Sequence, residues 1–341
     1  MDNFKNSLQS LASIKKVDDY GMFQMTYFGD YGFDEFLKVG VKSDEDMNAF
    51  VIKHLLTDID IDFDVAREQF TDVNSYGCMV FNACNPNGDV LLGRNFDMLF
   101  YSPSMQVTTR PDNGYTSIST IDLMLVGYNA HNLPNGLNLS SFPTLNAPYT
   151  PMDGMNTKGV AVALLEVPES KPPFDENKIT LNTTTAVRLV LDKAASVAEA
   201  VELLSQYNVY FSQNIRCQYF MADASGRSAV VNYGDEKMTV TEPDKPYQVA
   251  SNFAVSDHSS SAACTGICRR YDAAMSALDQ NAGVLTEQQA VDMLAEVGVI
   301  DHGNNGKSLL QWSVVYNLTT LEGVIFADRK KDSLIGFRLT A

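Results

Sequence analysis

The stretch "GCMVFNACNPNGDVLLGRNFD", residues 77–97, constrains this chain more than any other. Two runs rich in Val, Leu, Met and Phe flank "NPNG", a cluster of turn-forming residues, so the pattern predicts a β-hairpin. Alternate residues of a strand share a face. A turn at 85–88 therefore brings Arg94 or Asp97 back toward the end that carries Cys78. A cysteine in an apolar run is by default small core filler. An arginine and an aspartate returning beside it open a second reading. A guanidinium stabilises thiolate over thiol, and a carboxylate can hold an ammonium or orient a base.

That second reading needs a base. The chain has four histidines, His54, His131, His258 and His302, and none sits in a catalytic pattern, so a Cys–His protease is unsupported. One chemistry needs no histidine. If the chain is cut before Cys78, the α-amine of that residue becomes the base, with a pKa of about 7.7–8.0 that suits proton transfer near neutrality. Amine-activated N-terminal nucleophiles are a known form of this logic. Asp97 would then hold the new ammonium, and Gly77 would leave its carbonyl open to attack. On this reading Gly77–Cys78 is a self-cleavage site.

The rest of the chain reads as strands, then helices, then strands. "GVAVALLEV", "CQYFMAD" and "SAVVNY" have the run lengths of strands, with a turn at "ASGR". Ser196 with Glu199, and Thr286 with Gln289, give capping-box spacings ahead of helices, and "TTAVRLVLDKAA" and "CRRYDAAMSALD" read as two more. "LLQWSVVYNLTT" and "EGVIFADR" form a late strand pair. The expectation is a layered α+β fold, with helices on largely antiparallel sheets. Before Cys78, residues 20–38 suggest another hairpin, "DEDMNAFVIKHLL" a helix, and "DIDIDFD" at 58–64 a half-buried strand. The aspartates of that last run imitate a calcium loop, but Phe63 stands where the loop needs Gly and Gln69 where it needs Glu.

Charge divides the chain at the same place. Of 42 acidic and 25 basic residues, the first 77 positions hold 15 and 7, against a total net charge of −17. Such a balance argues against nucleic acid and anionic membranes as partners, and no apolar run is long enough for a membrane span. The first twenty residues lack the apolar centre of a secretory signal; the compartment is left open. Five cysteines, Cys78, Cys84, Cys217, Cys264 and Cys268, do not read as a disulfide framework, and no histidine follows Cys268 closely enough for a zinc site. Four of them, and Trp312, are read as packing residues.

Taken in order, these motifs resemble the choloylglycine hydrolase group of N-terminal nucleophile (Ntn) amidases. The group includes bile salt hydrolases, penicillin V acylases and, more distantly, acid ceramidase and N-acylethanolamine acid amidase. The resemblance covers residues 78–341. Cys78 followed by "GRNFD" is similar to the family's nucleophile with its Arg and Asp partners. "DGMNTKGVAVALLEVP" at 153–168 resembles a family strand. "NIRCQYFMADASGRSAVVNY" resembles the segment whose leading Asn, here Asn214, contributes to the oxyanion hole. "VASNFAV" resembles the family's Thr-Asn strand end and offers Asn252. "CRRYDAA" resembles its Ser-Arg helix start, where Arg270 fits the catalytic position better than Arg269.

The resemblance implies a four-layer αββα sandwich with an N-terminal pro-segment (1–77) and a catalytic domain (78–341). It also implies hydrolysis of linear amides with no metal or cofactor. Glu166 stands where bile salt hydrolases carry Asn and penicillin V acylases Tyr. It and the leader look more like the ceramidase and acylethanolamine amidase branch, which favours N-acyl lipid amides as substrates. An ionised carboxylate there accepts hydrogen bonds and cannot donate them. The backbone N–H at Asn95 is a further oxyanion candidate. The leader is expected to stay attached after cleavage, as a cover over a site made cationic by Arg94 and Arg270 or as a lining of the acyl pocket. An acyltransferase, an inactive relative serving as a binding module, and a homo-oligomer all remain open.

Overall fold

The computed structural model describes residues 2–55, 76–98, 100–212, 215–255, 266, 268–301 and 307–340. Two sheets stack face to face. The smaller runs in the order Gln248–Ala250, Tyr76–Cys84, Val90–Met98, Leu310–Asn317, Glu322–Ala327, Ile335–Arg338. The larger has nine strands and contains Ser104–Thr109, Ser117–Asp122, Pro151–Asn156, Ala161–Glu166, Cys217–Ala222 and Ser228–Gly234 as consecutive neighbours. Helices Thr183–Lys193 and Val197–Ser205 cover the outer face of the large sheet. Arg269–Gln280 and Glu287–Val297 cover that of the small one. The result is a helix–sheet–sheet–helix sandwich.

Strand parity explains the layering. Cys78, Val80, Leu92 and Phe96 join the core between the sheets, whereas Met79, Phe81, Ala83 and Leu91 join the core beneath the outer helices. Both faces of these strands are covered, so both parities are apolar and the runs lack polar alternation. The "NPNG" turn closes as expected: Asn85 Oδ1 accepts from the N–H groups of Asn87 and Asp89, both at 2.9 Å, and Gly88 takes the left-handed φ of 88°. Gly93 is required for another reason. A Cβ there would lie 2.3 Å from the Phe81 ring, which crosses it.

Both capping residues form their helix starts. Thr286 and Gln289 make the full reciprocal box. Ser196 accepts from the Glu199 N–H, but the Glu199 carboxylate takes the Ala195 N–H rather than that of Ser196.

The segment before Cys78 is built into the fold. Met22–Thr26 pairs in parallel with Ser104–Thr109 in the large sheet, and Lys15–Lys16 extends that sheet outward. The hairpin expected over 20–38 does not form. Only its first half is strand, pairing back with Lys15–Lys16, and Phe33–Val39 is a short helix opened by the left-handed Gly32. Its Phe33 and Phe36 stack at 5.7 Å and fill the core, so aromatic packing takes this half away from the sheet. Asp44–Leu55 is helical, as its spacing predicts. The run at 58–64 lies outside the described residues.

Candidate active site

The first functional strand sets Gly77 opposite Asp97, Cys78 opposite Phe96 and Val80 opposite Arg94. Arg94 thus lies diagonally across from Cys78 on the same face, and its Nη2 stands 3.9 Å from Cys78 Sγ. Asp97 emerges on the other face, toward the outer helices. The hairpin therefore brings both residues back to the cysteine's end but separates them by parity.

Arg94 is fully buried. Its Nε faces Asp153 Oδ2 at 3.2 Å, its Nη2 donates to the Leu164 carbonyl at 3.1 Å, and its guanidinium lies over the rings of Phe96 and Trp312. Nη1 is buried and has no hydrogen-bond partner among the described residues. Asp153 in turn accepts from Trp312 Nε1 at 3.0 Å and from Tyr316 Oη at 2.6 Å. Buried ions persist when paired and hydrogen-bonded, and both carboxylate oxygens of Asp153 are occupied in this way. The sequence reading missed Asp153, although it opens the "DGMN" motif. Trp312 is a core aromatic as expected, and its indole N–H in addition holds the arginine's counter-ion.

The main-chain nitrogen of Cys78 has its own holder. Its N–H donates to Asn252 Oδ1 at 2.6 Å. Asn252 is fixed from both ends, because Arg270 Nη2 also donates to Oδ1 at 2.9 Å and Asn252 Nδ2 donates to the Glu166 carbonyl at 3.0 Å. Ser251 Oγ donates to the Cys78 carbonyl at 3.0 Å. Arg270 Nη1 reaches Asp97 Oδ2 at 3.1 Å, and Asp97 Oδ1 accepts the Val299 N–H at 2.8 Å. Asp97 therefore sits beside Gly77 with Arg270. A Cβ on Gly77 would stand 3.0 Å from Asp97 Cβ and 3.4 Å from Arg270 Nη1, so any side chain at this position would be tightly crowded.

Burial pushes the Cys78 thiol above its ordinary pKa; Arg94 and Arg270 pull it back, and Asp97 and Glu166 oppose them. The net effect favours the protonated thiol. Burial likewise pushes Asp97 up to about 6 against the pull of Arg270. The Glu166 side chain is buried at the end of its strand, opposite Cys217 in register, and is felt electrostatically by both cysteines.

Asn214 lies outside the described residues. Asn95 does not serve as an oxyanion donor: it sits in a strand paired on both sides, opposite Met79 and Ser313, which commits its N–H to the ladder. Its side chain points away, donating to the Leu294 carbonyl.

The family described as "Linear amide C–N hydrolases, choloylglycine hydrolase family" matches residues 78–288, beginning on Cys78 itself. No curated protein sequence matches the chain. Among solved structures, two variants of conjugated bile acid hydrolase from Clostridium perfringens align with TM-scores of 0.57 and 0.55 at 17% and 16% identity. They cover 76% and 77% of this chain and 92% of each of theirs. Penicillin V acylase from Agrobacterium tumefaciens aligns at 0.51 and 19% identity, over 73% of this chain and 83% of that one. At these identities the likeness establishes the fold, the αββα Ntn-hydrolase sandwich. The family match is independent of it and spans well over half of the sequence: the chain belongs to the choloylglycine hydrolase family of linear amide C–N hydrolases.

Proposed function

We propose that this protein is a self-processing cysteine amidase that cleaves N-acyl lipid amides through an acyl-enzyme. The reading rests on one arrangement. The sulfur and the main-chain nitrogen of Cys78 are each held by a separate polar group, Arg94 and Asn252.

In the uncut chain, Cys78 Sγ attacks the Gly77 carbonyl carbon. The Gly77–Cys78 C–N bond breaks, a thioester forms, and the thiol proton passes to the freed amine. Water then hydrolyses the thioester, leaving a Gly77 carboxylate and a free Cys78 with its own α-amine as base. In catalysis that amine takes the thiol proton as sulfur attacks the substrate carbonyl, and returns it to the departing amine. Water hydrolyses the acyl-enzyme to a carboxylic acid. Asn252 Oδ1 orients the amine. Arg94, fixed by Asp153, steadies the developing thiolate, and its unpartnered Nη1 is a donor still available to the reaction. Asn214 is the proposed oxyanion donor, Arg270 with Asp97 braces Asn252, and Glu166 lies at the substrate side of the thiol.

The leader stays bound after the cut. Its strand is hydrogen-bonded into the large sheet, Tyr31 Oη donates to buried Asp192 at 2.7 Å, and Asp34 pairs with Lys193 at 2.6 Å. The two named relatives act on conjugated bile acid and penicillin V. Hydrolysis assays across taurocholate, penicillin V and palmitoylethanolamide test the choice. The proposal expects turnover of the third; turnover of either of the others alone contradicts it.

A further inference from the structure

The edge strand Gln248–Ala250 of the small sheet stops just short of Cys78. Gln248, Val249 and Ala250 pair with Asn82, Phe81 and Val80, a register that, continued, sets Asn252 opposite Cys78. The ladder ends at Ala250 instead. Two side chains make the bonds that the backbone omits. Asn252 Oδ1 accepts the Cys78 N–H at 2.6 Å, and Ser251 Oγ donates to the Cys78 carbonyl at 3.0 Å. Both polar groups of the nucleophile's main chain are thus held by side chains of consecutive residues. Ser251 is fully buried, so solvent does not compete for its hydroxyl.

A hydroxyl has one proton to give. With that proton on the Cys78 carbonyl, the contact between Ser251 Oγ and Cys268 Sγ at 3.5 Å is made with the thiol S–H as donor. Cys268 stands at the N-cap of the helix Arg269–Gln280, and Arg270, in the first turn of that helix, donates to Asn252 Oδ1. The start of one helix therefore reaches Cys78 by two relays, Cys268–Ser251 to its oxygen and Arg270–Asn252 to its nitrogen.

Cutting the chain changes what these relays must carry. Before the cut, Cys78 is also fixed from upstream, because Tyr76 and Gly77 pair with Met98 and Asp97. Afterwards the residue hangs from Met79 alone, and its main-chain torsions turn freely unless its own polar groups are held. We propose that Ser251 is a positioning residue for the reaction. It fixes the carbonyl of the terminal Cys78, and through it the placement of sulfur and amine against the substrate, chiefly after self-cleavage. This rests on the amidase reading above and adds a residue to it. Precision matters here, since a misplacement of about 1 Å at a reacting centre can cost about 100-fold in rate.

The test follows two rates in the full-length protein: self-cleavage, by timed mass measurement, and hydrolysis of palmitoylethanolamide. Ser251→Ala should cut itself within about threefold of the wild-type rate, yet lose about tenfold or more in kcat with KM unchanged. Ser251→Thr, which keeps the hydroxyl, should recover most of that loss. Cys268→Ala leaves the hydroxyl and removes the donor behind it. It should lower kcat alone by about threefold, the scale of one modest hydrogen bond, and serves if Ser251→Ala does not fold. A Ser251→Ala protein with unaltered kcat overturns the proposal. So does one in which both rates fall equally, because lost packing would do the same. In either case the wild type still cuts itself and turns over the amide, so the amidase reading stands. A wild type that does neither overturns both.

Discussion

Asn252 reaches across 174 positions of sequence to accept the Cys78 main-chain N–H at 2.6 Å. A strand N–H ordinarily bonds to a neighbouring strand; here a side-chain amide takes that place, and Arg270 and the Glu166 carbonyl hold the amide still. This is where a liberated α-amine would need an acceptor to keep its lone pair aimed at the sulfur. Asn252→Leu is expected to lower kcat by about 100-fold, the scale of losing one preorganised polar contact at a reacting centre. Single-turnover acylation by an activated amide measures it. An unaltered rate would separate the amide from the chemistry.

Asp153 neutralises the arginine nearest the thiol. Asp153→Asn leaves the Arg94 charge uncompensated in a buried place, so the thiolate is favoured and the midpoint of Cys78 alkylation against pH should fall. Breaking a buried pair from one side costs about 3–5 kcal/mol, which chemical denaturation would register. A loss of stability with an unchanged alkylation midpoint would make Asp153 a structural residue only.

Asp97 and Arg270 form their ion pair only once Asp97 is ionised, and burial holds its pKa at about 6. Self-cleavage should therefore speed up as pH rises through about 6. Arg270 is the strongest influence lowering that pKa, so in Arg270→Gln the rise should move to higher pH. A timed mass measurement across pH follows it; an Arg270→Gln profile unmoved or displaced downward contradicts the pairing.

Asp122 is buried between the sheets, accepts from Ser102 and from the Met124 N–H through Oδ1, and is also pushed up to about 6 by burial. Because the folded pKa lies above the unfolded value of about 3.9, its contribution to stability is complete below pH ~4 and is lost as pH climbs through ~6. Asp122→Asn keeps the Oδ1 acceptor and cannot ionise. Its stability relative to wild type should improve by about 3 kcal/mol between those limits. Asp97 leaves a similar slope in both proteins, so the difference isolates Asp122. Parallel profiles would contradict the shift.

The hairpin, its turn, the outer helices and the late strand pair were legible because short-range signals decide them: alternation, Asx turns and capping spacings. The pairing of Arg94 with Cys78 was legible in outline, since strand parity and a four-residue turn fix the register. The holder of the Cys78 nitrogen was only faintly so. Asn252 was one candidate among several, and what raises it is a contact across the sheet that no local pattern encodes. Asp153 escaped because a strand aspartate among apolar neighbours looks the same in sequence whether it is exposed or holds a buried arginine. The 20–38 segment was misread where Phe33 and Phe36 favour strand by propensity and helix by packing.

Intact-mass measurement of the purified protein beside Cys78→Ala tests the central claim most directly. The account predicts that the wild type resolves into two chains joined only by folding, divided between Gly77 and Cys78, and that Cys78→Ala stays whole. A wild type that remains a single chain at every pH, with Cys78 unlabelled by an acylating amide, would contradict it.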